Sequence, residues 1–235
     1  MSGVEPRRGM GSRLAALLAK DLLLEWRRKE QVVAMGVFAF LSAILFVFAV
    51  DPAPAELTRL GPGAMWIAFL FAGTLGFAKA FAPEERSDAL TALLLAPVDR
   101  TGLFLAKAAA ATAFLGAVEV LMLPVFVALF DLPLLAILPH FALVAGLATV
   151  GFCCLGTLVA FATSRAAARE LLLPLLLLPL SLPLLIAAAQ ATRLLLEPAR
   201  GAPIADLDLW LTLMVAFDAV FGVLCCWGFE RAVEE

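Results

Sequence analysis

Charge is scarce in this 235-residue chain: 16% of its residues are charged and 63% are hydrophobic, against roughly 45 to 50% apolar residues in a soluble globular domain. With a mean hydropathy of +1.02, the main solvent of this protein is lipid. There is no basic surplus either, since the formal net charge is −3, and nucleic acid is set aside as a partner. Reactive motifs are also missing. No G-x-x-x-x-G-K-[ST] phosphate loop occurs, so the chain does not bind ATP by that route, and H-E-x-x-H and G-x-S-x-G are absent. The single histidine, His140, cannot form a metal site alone. The four cysteines form two adjacent pairs, Cys153–Cys154 and Cys225–Cys226. Helix neighbours point about 100° apart, so neither pair makes C-x-x-C redox chemistry, and small buried side chains are the expected role.

What fills the sequence instead is long apolar runs. A helix needs about 20 apolar residues to cross the hydrocarbon core, and six such stretches run at roughly 31–50, 62–82, 108–130, 134–162, 171–189 and 207–228. The fourth is long for one crossing and is expected to tilt, kink or begin at the interface. The runs are rich in Leu, Ala, Val and Phe without ten-residue alternation, which argues for helices over a barrel. Pro124, Pro174, Pro179 and Pro183 fall inside these runs, where neighbouring helices can re-satisfy a freed carbonyl, and bends are expected there. The chain therefore divides into an N-terminal segment (1–30), a six-helix membrane domain (31–230) and a short tail (231–235). The N-terminal segment is too long and too charged for the n-region of a cleaved signal peptide and is expected to be retained.

Basic residues set the orientation. Arg7, Arg8, Arg13, Lys20, Arg27, Arg28 and Lys29 precede the first span, Lys79, Arg86, Arg100 and Lys107 follow the second, and Arg165, Arg169 and Arg231 share their side. Only Arg59, Arg193 and Arg200 fall on the other side, which predicts a multi-pass protein of the bacterial inner membrane with both termini cytoplasmic. His140 then sits near the outer end of the fourth span, as an interfacial side chain rather than a haem ligand or proton relay.

Two cytoplasmic stretches are amphipathic. In residues 13–30, Leu14, Leu18, Leu22 and Trp26 recur every four residues, with Arg13, Lys20 and Arg27 opposite. Such a helix lies flat in the interface, as a positive-inside anchor or as an element that passes motion from a partner. Between spans 2 and 3, Pro83, Glu84 and Glu85 suit a helix start. Leu90, Leu93 and Leu94 give that helix one apolar face and Pro97 ends it, which makes it too short to span. Within the membrane, Glu119 and Asp218 stand out, because ionisable groups there cost a few kcal/mol and are functional candidates by default. Each faces a partner helix, a substrate path or a water-filled crevice. Six helices, two amphipathic cytoplasmic elements and no visible catalysis describe a permease driven by a separate subunit.

Three segments carry a more specific likeness. LGPGAMWIAFLFAGTLGFAKAF, SDALTALLLAPVDRTGLFLAK and LLLPLLLLPLSLPLLIAAA, in this order and spacing, resemble the haem exporter protein B family, the permease of the cytochrome c maturation ABC transporter. The likeness runs over roughly 14–190, and its most specific parts are Gly61-Pro62-Gly63…Trp66 and the run around Pro179 and Pro183. It implies an all-α, six-helix ABC-2 type (type V exporter-like) fold and function with a separate ATPase subunit that binds the ATP. It also implies haem-handling membrane proteins and a haem chaperone as partners, and haem as substrate rather than as a cofactor of this chain. The short helix after span 2 would then be the coupling helix, with Glu84, Glu85, Arg86, Asp88, Leu90, Leu93, Leu94 and Pro97 as its candidate residues. The family's Gly and, three residues on, Glu in that helix are Asp88 and Thr91 here. The partner protein's tryptophan-rich haem-handling motif is absent, and a homodimer is the default, since ABC exporters need two permease halves. The competing readings are an ABC-2 permease for a drug, lipid or polysaccharide, a membrane scaffold of haem-handling proteins that moves nothing, and, last, a membrane-embedded enzyme.

Overall fold

A computed structural model describes residues 29–50, 54–80, 100–164, 166, 168–196 and 204–232. The candidate interfacial helix (Leu14, Leu18, Leu22, Trp26) and the candidate coupling helix (Glu84, Glu85, Arg86, Asp88, Leu90, Leu93, Leu94, Pro97) both lie outside them. Six long helices follow one another: α1 Lys29–Val50, α2 Pro54–Ala80, α3 Arg100–Phe130, α4 Leu138–Thr163, α5 Arg169–Leu196 and α6 Ile204–Ala232. All six are long and apolar enough to cross a membrane, and there is no strand among the described residues. The protein is an all-helical, multi-pass membrane protein.

Helix boundaries differ from the hydropathy reading in one systematic way. α2 begins eight residues ahead of the expected 62, α3 eight ahead of 108, and α5 runs on to Leu196 rather than stopping near 189. Hydropathy marks only the part of a helix that meets lipid, whereas intrahelical hydrogen bonding continues into the polar interface. Pro62 therefore lies inside α2 instead of opening it, and Pro124, Pro174, Pro179 and Pro183 also lie inside continuous helices. Acidic residues sit in first turns, Glu56 in α2, Glu170 in α5 and Asp206 in α6, where the helix dipole favours them.

The long fourth run is resolved by a break at its start. α3 ends at Phe130, and Asp131 takes the left-handed conformation with φ 49°, one that Asp tolerates better than most residues. The Leu132 N–H then donates to the Val127 carbonyl at 3.2 Å, the six-to-one bond of a Schellman cap. A 3-10 turn, Leu134–Ile137, leads into α4.

α2 and α4 form the interior. α2 packs against α1, α3 and α5, and α4 against α3, α5 and α6. In the most apolar stretch of α2, 72% of residues are buried, against 22% in α1 and 17% in α6. The α2–α4 contact is reciprocal. A Cβ on Gly73 of α2 would strike the Phe152 ring of α4, and a Cβ on Gly156 of α4 would strike the Phe77 ring of α2. The two rings meet edge to face with centroids 5.7 Å apart, a favoured arrangement. Small residues that let backbones close up are the main device for helix packing where lipid is as apolar as leucine. At the outer end, Trp66, Phe69, Phe126 and Phe130 form a chain of rings with centroids 5.5–6.0 Å apart.

Candidate functional site

The structure places both intramembrane carboxyls against α4, but on different sides of it. Glu119 lies on α3 and is only 8% exposed. Thr149 of α4 brings its Oγ1 to 2.9 Å and 2.8 Å from the two carboxyl oxygens of Glu119, and to 2.7 Å from the Ala145 carbonyl one turn back. A hydroxyl carries one proton, so three acceptors compete for a single donor. The carboxyl forms part of the wall of a crevice of about 280 Å³ between α3 and α4. Phe69, Leu123 and Phe141 supply apolar lining, and no basic residue is among the lining residues. The crevice owes its depth to two glycines: Gly116 of α3 and Gly146 of α4 line it, and a Cβ on either would meet nothing within 4 Å.

Asp218, on α6, is held differently. Its Oδ1 is buried and has no hydrogen-bond partner. The carboxyl fits against Gly151 of α4, where a Cβ would collide with Oδ1 and with the Leu184 side chain of α5. Beside it, Cys154 of α4 is in electrostatic reach of Asp218 and Cys226, and Cys225 of Cys154. The two cysteine pairs that looked unrelated in sequence thus share the α4–α6 contact, as free thiols with Cys153 and Cys225 buried. No group of three or more His, Cys, Asp or Glu among the described residues could hold a metal ion. His140 is exposed, in the first turn of α4.

One polar contact escaped the sequence reading. The Trp66 Nε1–H of α2 donates to Thr192 Oγ1 of α5 at 3.1 Å, and that hydroxyl donates to the Ala188 carbonyl at 2.7 Å. Trp66 was marked as family-specific, but its partner is 126 positions away and nothing local signals it. Thr149 was missed for the same reason, being an ordinary threonine inside an apolar run, 30 positions from Glu119.

Comparison with known proteins gives one answer throughout. Residues 12–235 match the family described as CcmB protein. Heme exporter protein B of Pseudomonas aeruginosa is 33% identical over 207 residues, covering 88% of this chain and 91% of the relative. The proteins of that name from Paracoccus denitrificans and Rhodobacter capsulatus are 33% and 32% identical, covering 82% and 88% of this chain and 85% and 91% of their own lengths. A match over nearly the whole length, on a chain folded as six spanning helices, leads to one conclusion: this chain belongs to the CcmB family.

Proposed function

We propose that this chain is the permease subunit of the cytochrome c maturation ABC transporter and sits in the bacterial inner membrane. The observation that carries the reading is the family match over residues 12–235 to proteins named heme exporter protein B. The drug, lipid or polysaccharide permease and the passive scaffold are not favoured by it.

The energy comes from another chain. ATP is bound and hydrolysed by a separate ATPase subunit, and this chain transmits the resulting motion rather than catalysing a reaction itself. The transmission element is the amphipathic stretch led by Pro83 and Glu84, whose apolar face of Leu90, Leu93 and Leu94 docks on the ATPase. The basic helix carrying Leu14, Leu18, Leu22 and Trp26 lies in the cytoplasmic interface beside it. Both termini are cytoplasmic by the distribution of Lys and Arg. Two copies of the chain form the permease, together with haem-handling membrane proteins that deliver haem to its chaperone, and haem is the cargo rather than a resident cofactor.

The test is a pull-down of the tagged chain from solubilised membranes with ATPase activity measured on the eluate. An ATPase is expected to co-purify, and L90D with L94D is expected to remove both it and the activity. A stable chain that never brings down an ATPase overturns the reading, as does normal c-type cytochrome content in cells lacking the gene.

A further inference from the structure

The crevice between α3 and α4 has an opening where its own fold leaves a donor missing. Glu119 presents two carboxyl oxygens and Thr149 one proton, and that proton is also within 2.7 Å of the Ala145 carbonyl. Thr112, the other hydroxyl on the wall, is turned away: it donates to the Ala108 carbonyl at 2.8 Å. An acceptor left short of donors in hydrocarbon is costly. The crevice also lacks contents of its own. Gly116 and Gly146 are not small to accommodate a neighbour in this chain, since a Cβ on either meets nothing within 4 Å. This contrasts with Gly73, Gly151 and Gly156, each of which seats a side chain of another helix.

We propose that this crevice is the docking site for a transmembrane helix of a different membrane subunit, one that presents a hydrogen-bond-donating side chain to Glu119. Small residues that let an incoming backbone approach and a polar group at the same level are the two features of helix association in lipid, and both are found here on one face.

Three other occupants fit less well. Glu119 lies eleven residues from the Phe130 end of α3 and Thr149 eleven from the Leu138 end of α4, about 16 Å along each helix at 1.5 Å per residue. At that depth a phospholipid offers acyl chain, which has no donor. A second copy of this chain meeting the first through the same face would be related by a two-fold axis. It would bring carboxyl to carboxyl, since no basic residue lines the crevice. A whole cofactor-sized ligand is also disfavoured, because 280 Å³ falls below the range of roughly 300–1,000 Å³ typical of small-molecule pockets. Side chains of a helix fit that space. Neither the ATPase nor haem enters this inference.

The experiment uses the full chain in its native membrane, with a diazirine amino acid in place of Ala142, an exposed residue of the crevice wall. After irradiation, adducts are identified by peptide mass spectrometry. The expected adduct is an apolar helix of a second integral membrane protein, joined within one turn of a Ser, Thr, Asn, Gln, Trp or basic residue. Its yield falls about tenfold in Gly146→Leu and in Glu119→Ala, as expected from loss of one intramembrane contact worth 1–2 kcal/mol. It is largely retained in Glu119→Gln, which keeps an acceptor, and it falls when the partner's donor is replaced by Leu. The melting temperature of the Gly146→Leu chain in detergent stays unchanged, which separates lost docking from lost folding. Adducts with lipid, with a second copy or with nothing overturn the proposal, as does a yield indifferent to Gly146→Leu. If the ATPase still co-purifies in that case, the docking alone has failed and the transport reading stands.

Discussion

Glu119 and Asp218 are the two carboxyls buried in this membrane domain, and both face α4 across a glycine-rich stretch, yet the glycines do opposite things. Beside Asp218, Gly151 is a socket: the carboxyl and Leu184 occupy the space a Cβ would take. Beside Glu119, Gly146 is a gap in which a Cβ meets nothing. One carboxyl is enclosed by its own chain without a donor for Oδ1, and the other is open and shares the proton of Thr149. Glycine in a spanning helix therefore has two meanings, internal packing and external vacancy, and only the surroundings distinguish them.

The comparison can be broken most forcefully at the sockets. Gly156→Leu and Gly151→Leu push a branched side chain into Phe77 and into Asp218 with Leu184 respectively. Each is expected to destabilise the domain by about 3 kcal/mol, the upper end of overpacking costs, read as a fall in melting temperature in detergent. Were Gly151→Leu silent, the enclosure of Asp218 would be wrong.

The next effect has the opposite sign. Asp218→Asn in the wild-type background supplies a donor and removes a buried acid that has no partner for Oδ1, so stability is expected to rise by about 1–2 kcal/mol. A clear loss in thermal unfolding would mean that the carboxyl contributes a contact that Asn cannot replace.

A smaller loss is expected at the α2–α5 bridge. Thr192→Val removes the acceptor of the Trp66 Nε1–H at nearly constant volume and is expected to cost about 1 kcal/mol. The Trp66→Phe variant should then show no further sensitivity to Thr192→Val, a double-mutant cycle that isolates the bond. Smallest of all is Gly146→Ala, where the added methyl enters open space. Its change in stability is expected to stay within about 0.5 kcal/mol, even on the helix-favouring side, because Ala is the better helix former.

The sequence made the architecture legible for a physical reason. Every backbone group in lipid must find its partner within its own helix, so membrane spans are local objects, and length with hydropathy was enough to find six of them. The same reasoning placed α2 too short, because Pro54–Leu60 carries Glu56 and Arg59 in its early turns and polar residues at an interface look like a loop. Glu119 and Asp218 were legible as anomalies, charges where charge is expensive. Their environments were not, since Thr149 and Gly151 are unremarkable within an apolar run.

By itself, then, the sequence determined the solvent, the number of crossings and the family, all of which are carried by local composition and ordered motifs. Tertiary structure alone decided that the least apolar span, α2, is the most buried, that Phe77 and Phe152 are seated in glycines of each other's helix, and that one carboxyl is closed while the other is open. Those outcomes depend on which faces meet, and in a bilayer hydropathy does not rank faces, because lipid and protein interior are equally apolar. Shape and unmet hydrogen bonds decide, and both come into being only when the helices pack.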